Sequence, residues 1–562
     1  MAYTGNGAFG GLDARRAAAD GAIRDMGNMS LRYSPAIASR LGRRKIATNY
    51  KNFQGAYYGD REYVVRGGKL YDDGTSVYNL RSGEKSMAML ENNLWIFPDK
   101  IRYNTKTKTA KNFNANLNNI GKYQNAKPAY LDYYYSQETN GDFIQTEYYA
   151  EGIAFGVNEF GAMSFVTGEM IKIKITRVET NAGAMKNVDF ELITVPKEIS
   201  YESYSENYGG AIYVIKLPLD TLAPIVESNR KKRLLEIEVT YAIPEMDGVF
   251  ASDNRLWGYK GREIYCSALG DGSVWMDYDT LATSSWAATT KTGDNITAGV
   301  DFGGTPVFFA ENAAYKIYGE NPKEFQYARQ DIIGVTKGDH KSVAVGAGYI
   351  FYLSRRGIYA WTGGVPQLIS APLGEERITD AVGGSDGAVY YLSCKQDGRQ
   401  NLYVFDPMTF AWVREDDTEA VDIRLRGRDL CMVTVSGDVH LIGDVYDEIG
   451  ALEDGVRYYL ETADYNDGAV TQKSAKNILI QHELFGGEAD VCVSYDGEPW
   501  NHVYTLYDTD GKKITSVIPL REKRYRTMRI RIEGDGEIVI YYMMRDVAPR
   551  TERTGGEKNV YQ

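Results

Sequence analysis

Short runs of alternating hydrophobic and polar residues recur along most of the chain, and Gly, Asp or Asn separates them. The recurring unit is a short apolar strand, a turn, and a second strand that is rich in Tyr. Its copies are REYVVRGGKLYDDG (61–74), NNLWIFPDKIRYNT (92–105), NRLWGYKGREIYCS (254–267), TPVFFAENAAYKIYG (305–319), YIFYLSRRGIYAWTG (349–363), AVYYLSCKQDGRQNLYVFDP (388–407) and DLCMVTVSGDVHLIGD (429–444). A period of two residues with Gly or Asn in the turn is typical of a β-hairpin. The pattern therefore predicts an all-β protein.

The spacing of these hairpins favours a β-propeller. The later copies recur roughly every 40 to 50 residues, which is the blade period of such folds. We expect the first blades over residues 46–114 and the remaining blades over 248–455. A β-sandwich or a solenoid built from similar hairpins is the alternative architecture.

Two further segments have strands of a different character. Residues 115–247 contain GEMIKIKITRV, VDFELITV, GAIYVIKLPL and LLEIEVTYAIP, which predict a small β domain inserted into a propeller loop. Tyr133, Tyr134 and Tyr135 there are either a partner-binding surface or half-buried strand residues, the commoner explanation. Residues 456–546 have strands separated by frequent turn signals, which predict a C-terminal β-sandwich, and 547–562 are polar and predict a flexible tail.

The composition narrows the classes of function. A formal net charge of -12 argues against a protein that coats nucleic acid with its whole surface. The four cysteines lack CxxC spacing, so they indicate buried thiols in a reducing compartment rather than zinc ligands or a disulfide framework: Cys266, Cys394, Cys431 and Cys492. No signal peptide and no long apolar stretch is present in the sequence, which predicts a soluble protein made in the cytoplasm without stable membrane insertion.

Residues 1–45 show no alternation and are basic within an acidic chain. Eight cations face only Asp13, Asp20 and Asp25: Arg15, Arg16, Arg24, Arg32, Arg40, Arg43, Arg44 and Lys45. This charge pattern predicts an extended N-terminal arm. The arm either lies over its own domain or contacts DNA phosphates or an acidic neighbour.

Signatures of catalysis are missing from the sequence. It contains no GxSxG elbow, Walker loop, HExxH or dinucleotide fingerprint, and its four histidines are not at ligand spacing. SYDGEPW (494–500) resembles the Asp-box of sialidases but is a residue short between Asp496 and Trp500, so we interpret it as a hairpin turn. DTDGKK (508–513) lacks the downstream glutamate of a calcium loop and predicts a type I′ turn. We therefore predict no enzyme activity, no catalytic residue, no cofactor and no metal.

Several segments resemble one protein family. DGAIRDMGNMSLRYSPAIASRLGRRK is similar to the start of the tail nozzle proteins of short-tailed phages, namely tail tubular protein B and the related DNA-stabilisation tail accessory factors. Further similar segments are RLWGYKGREIYCSALGDGSVW, TPVFFAENAAYKIYG, YLSRRGIYAWTGGVPQLIS, WVREDD after VFDP, and VSYDGEPW before RYRTMRIRIEGDGE. The resemblance covers most of the chain outside 115–247, and its motifs are structural rather than catalytic.

The resemblance implies a structural protein of the bacteriophage virion tail. Such a protein is a homohexameric ring that extends the DNA channel below the portal and adaptor, retains packaged double-stranded DNA and docks fibres or a needle. Acidic channel walls would let DNA slide without sequence-specific binding. Arg40, Arg43, Arg44 and Lys45 are the implied candidate contacts to neighbours or DNA. The alternatives are a tail-associated propeller that binds or depolymerises carbohydrate, and a cellular propeller scaffold that binds protein partners on its loops.

Overall fold

The computed structural model describes residues 2–6, 8–16, 18–113, 122–139, 142–156, 170–180, 182–194, 199–205, 210–217, 235–278, 281–446, 448–467 and 471–550. Over these residues nearly all regular structure is β-strand in many small antiparallel sheets, which confirms the predicted all-β class. The described helices are short 3₁₀ turns at His340–Ser342 and Ala371–Leu373. Among the described residues, no helix is long and apolar enough to cross a membrane.

The N-terminal segment contributes short strands to sheets that lie elsewhere in the sequence. They are β1 (Ala2–Asn6), β2 (Ile23–Gly27), β3 (Met29–Ser30), β4 (Ile37–Ser39) and β5 (Arg44–Ala47).

Two four-stranded sheets follow, each with its strands in chain order. Sheet 1 consists of β6 (Phe53–Tyr58), β7 (Glu62–Arg66), β8 (Lys69–Asp72) and β9 (Thr75–Asn79). Sheet 2 consists of β10 (Ser86–Leu90), β11 (Asn93–Phe97), β12 (Ile101–Asn104) and β13 (Thr109–Asn112).

A seven-stranded sheet occupies the range predicted for the inserted domain. Its strands are β14 (Lys122–Thr139), β15 (Asp142–Gly156), β16 (Ile171–Glu179), β17 (Met185–Thr194), β18 (Ile199–Ser205), β19 (Gly210–Leu217) and β20 (Leu235–Tyr241). The order across the sheet is β17-β16-β20-β14-β15-β19-β18. Tyr133, Tyr134 and Tyr135 lie in β14 opposite β15, and their side chains lie outside the described part of the structure.

Four more four-stranded sheets come next, again in chain order. Sheet 3 consists of β21 (Gly248–Ser252), β22 (Arg255–Lys260), β23 (Glu263–Cys266) and β24 (Trp286–Thr289). Sheet 4 consists of β25 (Ile296–Phe302), β26 (Thr305–Ala310), β27 (Ala313–Tyr318) and β28 (Gln326–Asp331). Sheet 5 consists of β29 (Ala344–Gly346), β30 (Tyr349–Ser354), β31 (Gly357–Trp361) and β32 (Gln367–Leu368). Sheet 6 consists of β33 (Ile378–Ser385), β34 (Tyr390–Gln396), β35 (Arg399–Asp406) and β36 (Ala411–Arg414).

Sheet 7 joins distant parts of the chain. Its own strands are β37 (Ala420–Arg426), β38 (Asp429–Thr434), β39 (Val439–Ile442) and β40 (Ala451–Leu452). The N-terminal strand β5 lies between β39 and β40 and pairs with both. Sheet 7 is therefore completed by a strand from the N-terminal segment.

The C-terminal strands form two larger sheets. They are β41 (Tyr458–Thr462), β42 (Lys473–Phe485), β43 (Ala489–Tyr495), β44 (Asn501–Leu506), β45 (Ile514–Pro519), β46 (Met528–Gly534) and β47 (Glu537–Pro549). Terminal sheet A has the order β3-β4-β47-β42-β45, and β1 also pairs with β47. Terminal sheet B has the order β2-β41-β46-β43-β44.

Alternation explains how these two sheets bury one face each. In β46 the isoleucines are buried and the intervening arginines are only partly covered, as a period of two requires. Ile530 and Ile532 of terminal sheet B belong to the same hydrophobic cluster as Ile478 and Ile480 of terminal sheet A. The buried faces of the two sheets therefore contribute to one core.

Residues of the extended N-terminal arm predicted over 1–45 contribute short strands to several sheets. The strands β1 to β4 pair within the terminal sheets, and β5 pairs within sheet 7. Strands of two to five residues are too short to show alternation, which is why the sequence pattern missed them. At the other end β47 continues to Pro549, beyond the expected start of the tail at 547, and 551–562 lie outside the described residues.

The chain divides into two compact units, and each has sheets in contact through their first strands. In the unit formed by Met1–Ser76, Phe308–Ala314 and Gln330–Gln562, β29 contacts β33, β33 contacts β37, and β37 contacts β6. In the unit formed by Val77–Val307 and Tyr315–Arg329, β10 contacts β21, and β21 contacts β25. Within each unit, successive sheets therefore approach along the same edge.

A glycine marks one of these approaches. A Cβ atom added to Gly384 of β33 would lie 2.6 Å from the backbone oxygen of Ile423 in β37 and would also overlap the Cγ2 atom of Ile423. We expect Gly384→Ala to lower the free energy of unfolding by about 1–3 kcal/mol, because overpacking must separate the two strands. Gly364→Ala is the matched control, since its added Cβ would meet no atom within 4 Å and its backbone needs no positive φ. Chemical denaturation measures both changes, and equal values would show that the strands tolerate a wider separation.

Candidate functional site

The four cations that the resemblance singled out lie where the chain crosses from terminal sheet A to sheet 7. Arg40 and Arg43 follow β4, and Arg44 and Lys45 open β5. The structure thus places the four residues along one connection, and it gives them different surroundings.

Arg40 is buried and fully engaged within the chain. Its guanidinium donates to both carboxylate oxygens of Glu453, with Nη1–Oε2 at 2.7 Å and Nη2–Oε1 at 2.9 Å. Its Nε donates to Asn28 Oδ1 at 2.7 Å, and its side chain is 5% exposed. Such a two-point pair fixes orientation as well as charge.

Arg43 forms the second half of the same network. Its Nη2 lies 2.7 Å from Glu415 Oε2 and its Nη1 lies 2.8 Å from Asp416 Oδ2. Burial alone would lower the pKa of the Arg43 guanidinium, but the adjacent Glu415 and Asp416 outweigh burial, so the pKa is raised. Arg43 therefore keeps its charge in a buried position.

The carboxylates come from parts of the sequence far from residue 40. Glu415 and Asp416 directly follow β36 of sheet 6, and Glu453 directly follows β40 of sheet 7. The backbone N–H of Arg43 also donates to Glu453 Oε2 at 3.1 Å. This cluster, named here the Arg40–Arg43 network, ties the N-terminal segment to both sheets.

Arg44 and Lys45 lie nearer the surface of sheet 7. Arg44 Nη1 donates to the backbone oxygen of Glu448 at 3.2 Å. Lys45 Nζ lies 2.9 Å from Asp438 Oδ1, and the Lys45 side chain is 40% exposed. The prediction that all four cations contact a neighbour or DNA is not tested by these contacts, but of the four, Arg44 and Lys45 are the ones that remain accessible.

A cavity of about 560 Å³ adjoins the Arg40–Arg43 network. Residues 29–34 form one wall, and Asp386, Asp406 and Asp444 lie around it. Burial raises the pKa of the Tyr391 phenol that lines the cavity, and Glu415 and Asp386 raise it further. Arg32, Arg40 and Arg43 also line the cavity, so its lining carries both signs of charge, and the Tyr391 phenol there stays protonated at neutral pH.

The described residues offer little for nucleophilic or metal chemistry. All four cysteines are buried and unpaired, as the sequence predicts. Burial raises the pKa of the Cys266, Cys394 and Cys431 thiols to about 12, so almost no thiolate forms at neutral pH. No group of His, Cys, Asp or Glu side chains among the described residues has the arrangement needed to hold a metal ion.

The two sequence motifs that resemble known loops are turns. SYDGEPW joins β43 to its partner β44, and Asp496 Oδ1 accepts hydrogen bonds from the backbone N–H groups of Arg526 and Thr527 at 2.8 and 2.7 Å. This confirms the hairpin interpretation. In DTDGKK, Asp510 and Gly511 have φ of 51° and 67°, as the central residues of a type I′ turn require.

Acid should weaken the Arg40–Arg43 network. Burial alone would raise the carboxyl pKa of both Asp416 and Glu453, but Arg43 and Arg40 outweigh it, so both lie below their ordinary values of 3.8 and 4.5. Groups with a lowered folded-state pKa stabilise the fold above the ordinary pKa, and this stability is lost as the pH falls through the folded-state value. We expect the melting temperature to decrease when the pH is lowered below about 4.5. The decrease should be less steep in Asp416→Asn than in the wild type. Calorimetry from pH 7 to pH 3 measures this, and parallel curves for the two proteins would contradict it.

Sequence reasoning missed the anionic half of this network. Glu415 and Asp416 stand in the WVREDD segment, which was noted only for its resemblance, and Glu453 lies in a segment without a motif. The cluster of arginines at residues 40–44 was the available signal, because an arginine that becomes buried needs a carboxylate partner.

The chain is similar to solved structures only at low sequence identity. No family model matches the chain, and no curated protein matches it. Among solved structures, an exo-β-1,3-galactanase from Phanerochaete chrysosporium with β-1,3-galactotriose is 9% identical, with a TM-score of 0.22, covering 52% of this chain and 95% of that one. Hsv2 from Kluyveromyces lactis is 14% identical, with a TM-score of 0.27, and the match covers 39% of this chain and 68% of Hsv2. The extracellular domain of a one-component system from B. thetaiotaomicron is 9% identical, with a TM-score of 0.24, and the match covers 92% of this chain and 98% of that domain. At these TM-scores the likeness assigns no function to this chain.

Proposed function

We propose that this chain is a non-enzymatic structural subunit of a phage tail, a nozzle-like protein that forms a ring around passing DNA. The observation that carries the proposal is the meeting of two segments that resemble tail nozzle proteins. Arg43 of SRLGRRK contacts Glu415 and Asp416 of WVREDD at 2.7 and 2.8 Å. The two segments are far apart in the sequence, and together they fix the N-terminal segment to the sheets.

We further propose that sheets 1 to 7 are the blades of a propeller and that the terminal sheets form a sandwich. The contacts between first strands within each unit support the propeller, because blades meet along their inner strands. The position of β5 in sheet 7 also supports it, since a sheet that combines an N-terminal strand with residues 420–452 would prevent a ring of blades from opening. The shared core of the terminal sheets supports the sandwich.

The charge of the chain suits a conduit for DNA. At a net charge of -12 the protein repels phosphates on average, so DNA passes without being held by counterion release. The partners in this proposal are further copies of the chain, the portal and adaptor, fibres or a needle, and double-stranded DNA.

Electron microscopy tests the proposal. Virions labelled with an antibody to this chain should show the label at the tail below the portal, and the purified protein should form rings with an open centre in negative stain. Label on a trimeric spike, or on no virion at all, would overturn the proposal. A DNA mobility-shift assay at physiological salt provides the control, since tight binding would contradict a sliding conduit.

Carbohydrate binding or depolymerisation is the second candidate, and one observation favours it. Burial raises the pKa of Asp339 above its ordinary value of 3.8, and Asp380 raises it further. A carboxylic acid with a raised pKa is one of the two groups that glycosidic cleavage needs, and the second carboxylate must lie about 5–9.5 Å from it. Release of reducing ends from host capsular polysaccharide, lost in Asp339→Asn and retained in Asp386→Asn, would replace the structural proposal with this one.

A further inference from the structure

The cavity beside the Arg40–Arg43 network is large enough for a small ligand. Its volume of about 560 Å³ lies within the range of about 300–1,000 Å³ that is typical of small-molecule sites. Its lining comes mainly from the N-terminal segment, from sheet 6 and from residues 443–444 after β39 of sheet 7, all within one compact unit. Met408 lines the cavity and is 90% exposed, so the cavity opens to solvent there.

Five of the seven charged side chains in the lining are already engaged within the chain. Arg40 and Arg43 pair with carboxylates of the network, and Glu415 is one of these carboxylates. Asp386 Oδ1 accepts hydrogen bonds from two backbone N–H groups of its own turn, at 2.8 and 2.9 Å. Asp406 accepts from a backbone N–H group and a hydroxyl group of its own turn, both at 2.8 Å. These five groups therefore shape the walls of the cavity.

The other two charged groups, Arg32 and Asp444, are opposite in sign. Neither has an ion pair with another residue in the described part of the chain. Arg32 Nε and Nη1 are shielded from solvent and lack a hydrogen-bond acceptor there, whereas Asp444 is exposed. The charge of Arg32 is thus partly removed from water without an anionic partner, and a bound anionic group would offset that cost.

The turn that carries Arg32 is held in place before any ligand binds. The backbone N–H of Ser34 donates to the backbone oxygen of Leu31 at 2.8 Å, which closes the turn. The Arg32 backbone N–H donates to Ser30 Oγ at 3.2 Å, and Arg32 Cζ lies 5.0 Å from the ring centroid of Tyr33. A group that is positioned in advance loses little conformational entropy when it binds a ligand.

The rest of the lining suits a ligand with an apolar body and an amide group. Its apolar members include Leu31, Val389, Val404 and Val413. The hydroxyl group of Tyr391 adds a neutral hydrogen-bonding group to the same lining. Apolar walls with a few polar groups are the usual composition of a site that binds small molecules specifically.

We propose that this cavity binds a short apolar peptide with free termini, with its carboxylate on Arg32, its ammonium group on Asp444 and its side chains against the apolar walls. An arginine and a carboxylate form a strong charge-assisted pair, as do an ammonium group and an aspartate. A ligand with a single charge would leave either Arg32 or Asp444 without a partner. The site goes beyond the proposed tail role and does not depend on it, because it lies within one folded unit.

Calorimetric titration with leucine, dileucine and trileucine tests the site. At least one of the three should bind with a dissociation constant below about 1 mM, and the tightest binder becomes the reference peptide. Its N-acetyl form and its C-terminal amide should each bind at least about tenfold more weakly, since each lacks one of the two charges. Failure of all three to bind, or equal affinity for the modified forms, would overturn the proposal.

Phosphocholine separates a peptide from a lipid headgroup as the source of a ligand with both charges. It has an anionic and a cationic group but no apolar side chain, so it should bind at least about tenfold more weakly than the reference peptide. Tighter binding of phosphocholine would assign a headgroup to the cavity and reject the peptide.

Two variants assign the ends of the ligand. Arg32→Gln should no longer distinguish the reference peptide from its amide, and Asp444→Asn should no longer distinguish it from its N-acetyl form. The controls Arg16→Gln and Asp397→Asn change exposed residues outside the lining and should leave every affinity unchanged. Melting curves without peptide should coincide for all four variants, which shows that a lost affinity is not unfolding. Weakened binding in the controls, or discrimination that persists in either cavity variant, would refute the assignment.

The outcomes separate this site from the proposed function. Peptide binding by a protein that is missing from the tail would support the site and refute the tail assignment. Rings on the tail that bind none of the peptides would support the structural role and refute the site.

Discussion

Arg43→Ala should lower the free energy of unfolding by about 3–5 kcal/mol, because it leaves the buried Glu415 with only Arg40, at 3.9 Å, as a cationic partner. Glu415 is 7% exposed and Arg43 is its nearest charged partner at 2.7 Å. The N-terminal segment should also become more accessible near residue 40, since the Arg40–Arg43 network is one of the contacts that tie it to sheet 6. Chemical denaturation followed by tryptophan fluorescence measures the first effect, and limited proteolysis near residue 40 measures the second.

The matched control for this prediction is an arginine whose ion pair lies at the surface. Arg15 lies 2.6 Å from Asp13, but its side chain is half exposed, so Arg15→Ala should change the free energy of unfolding by about 1 kcal/mol or less. Arg43→Lys should fall between the two, because a lysine keeps the charge but cannot address Glu415, Asp416 and Thr418 with one planar fork. Equal losses for Arg43→Ala and Arg15→Ala would mean that the network does not stabilise the fold.

Trp412→Ala should cost about 3–5 kcal/mol, the range for removing a fully buried large aromatic side chain. The indole is enclosed by aromatic rings, with centroid distances of 6.4 Å to Tyr390, 6.1 Å to Tyr403 and 5.0 Å to Phe405. Its Nε1–H donates to the backbone oxygen of Ile369 at 2.7 Å, so the truncation also removes a buried hydrogen bond. Denaturation monitored by circular dichroism measures the loss.

Two variants define what the Trp412 result means. Trp412→Phe keeps most of the packing and removes the donor to Ile369, so it should cost less than Trp412→Ala. Met408→Ala lies in the preceding turn and is 90% exposed, so it should stay within about 0.5 kcal/mol of the wild type. If Trp412→Ala lowers the free energy of unfolding no more than Met408→Ala does, the aromatic cluster around Trp412 does not contribute to the hydrophobic core.

The two predictions concern one short segment with two tasks. Trp412 packs in the core against the aromatic residues of sheet 6. Glu415 and Asp416 bind Arg43 just beyond the end of β36. The backbone oxygen of Trp412 also accepts a hydrogen bond from the N–H of Leu12 at 2.6 Å. The segment WVREDD therefore holds the N-terminal residues at more than one point, which agrees with a structural role for the motif.

Local patterns in the sequence predicted the hairpins because a hairpin is encoded within about fifteen residues. The copy at 349–363 became β30 and β31, and its apolar run gave the buried Ile350 and Ile358. The turn residues of SYDGEPW and DTDGKK were predicted for the same reason, since positive φ favours Gly and Asp locally. The burial of the cysteines was predicted because their spacing fits neither a zinc site nor a disulfide framework.

The all-β class, the hairpins and the turns could be predicted from the sequence, because each depends on residues near one another in the chain. Tertiary structure alone decided that β5 completes sheet 7, that β1 to β4 enter the terminal sheets, and that Arg40 pairs with Glu453. These contacts join residues that are separated by hundreds of positions, and the strands involved are too short to alternate visibly. Such pairings form because buried charges need partners and strand edges need to be covered in the folded chain. Neither requirement produces a periodic pattern in the sequence.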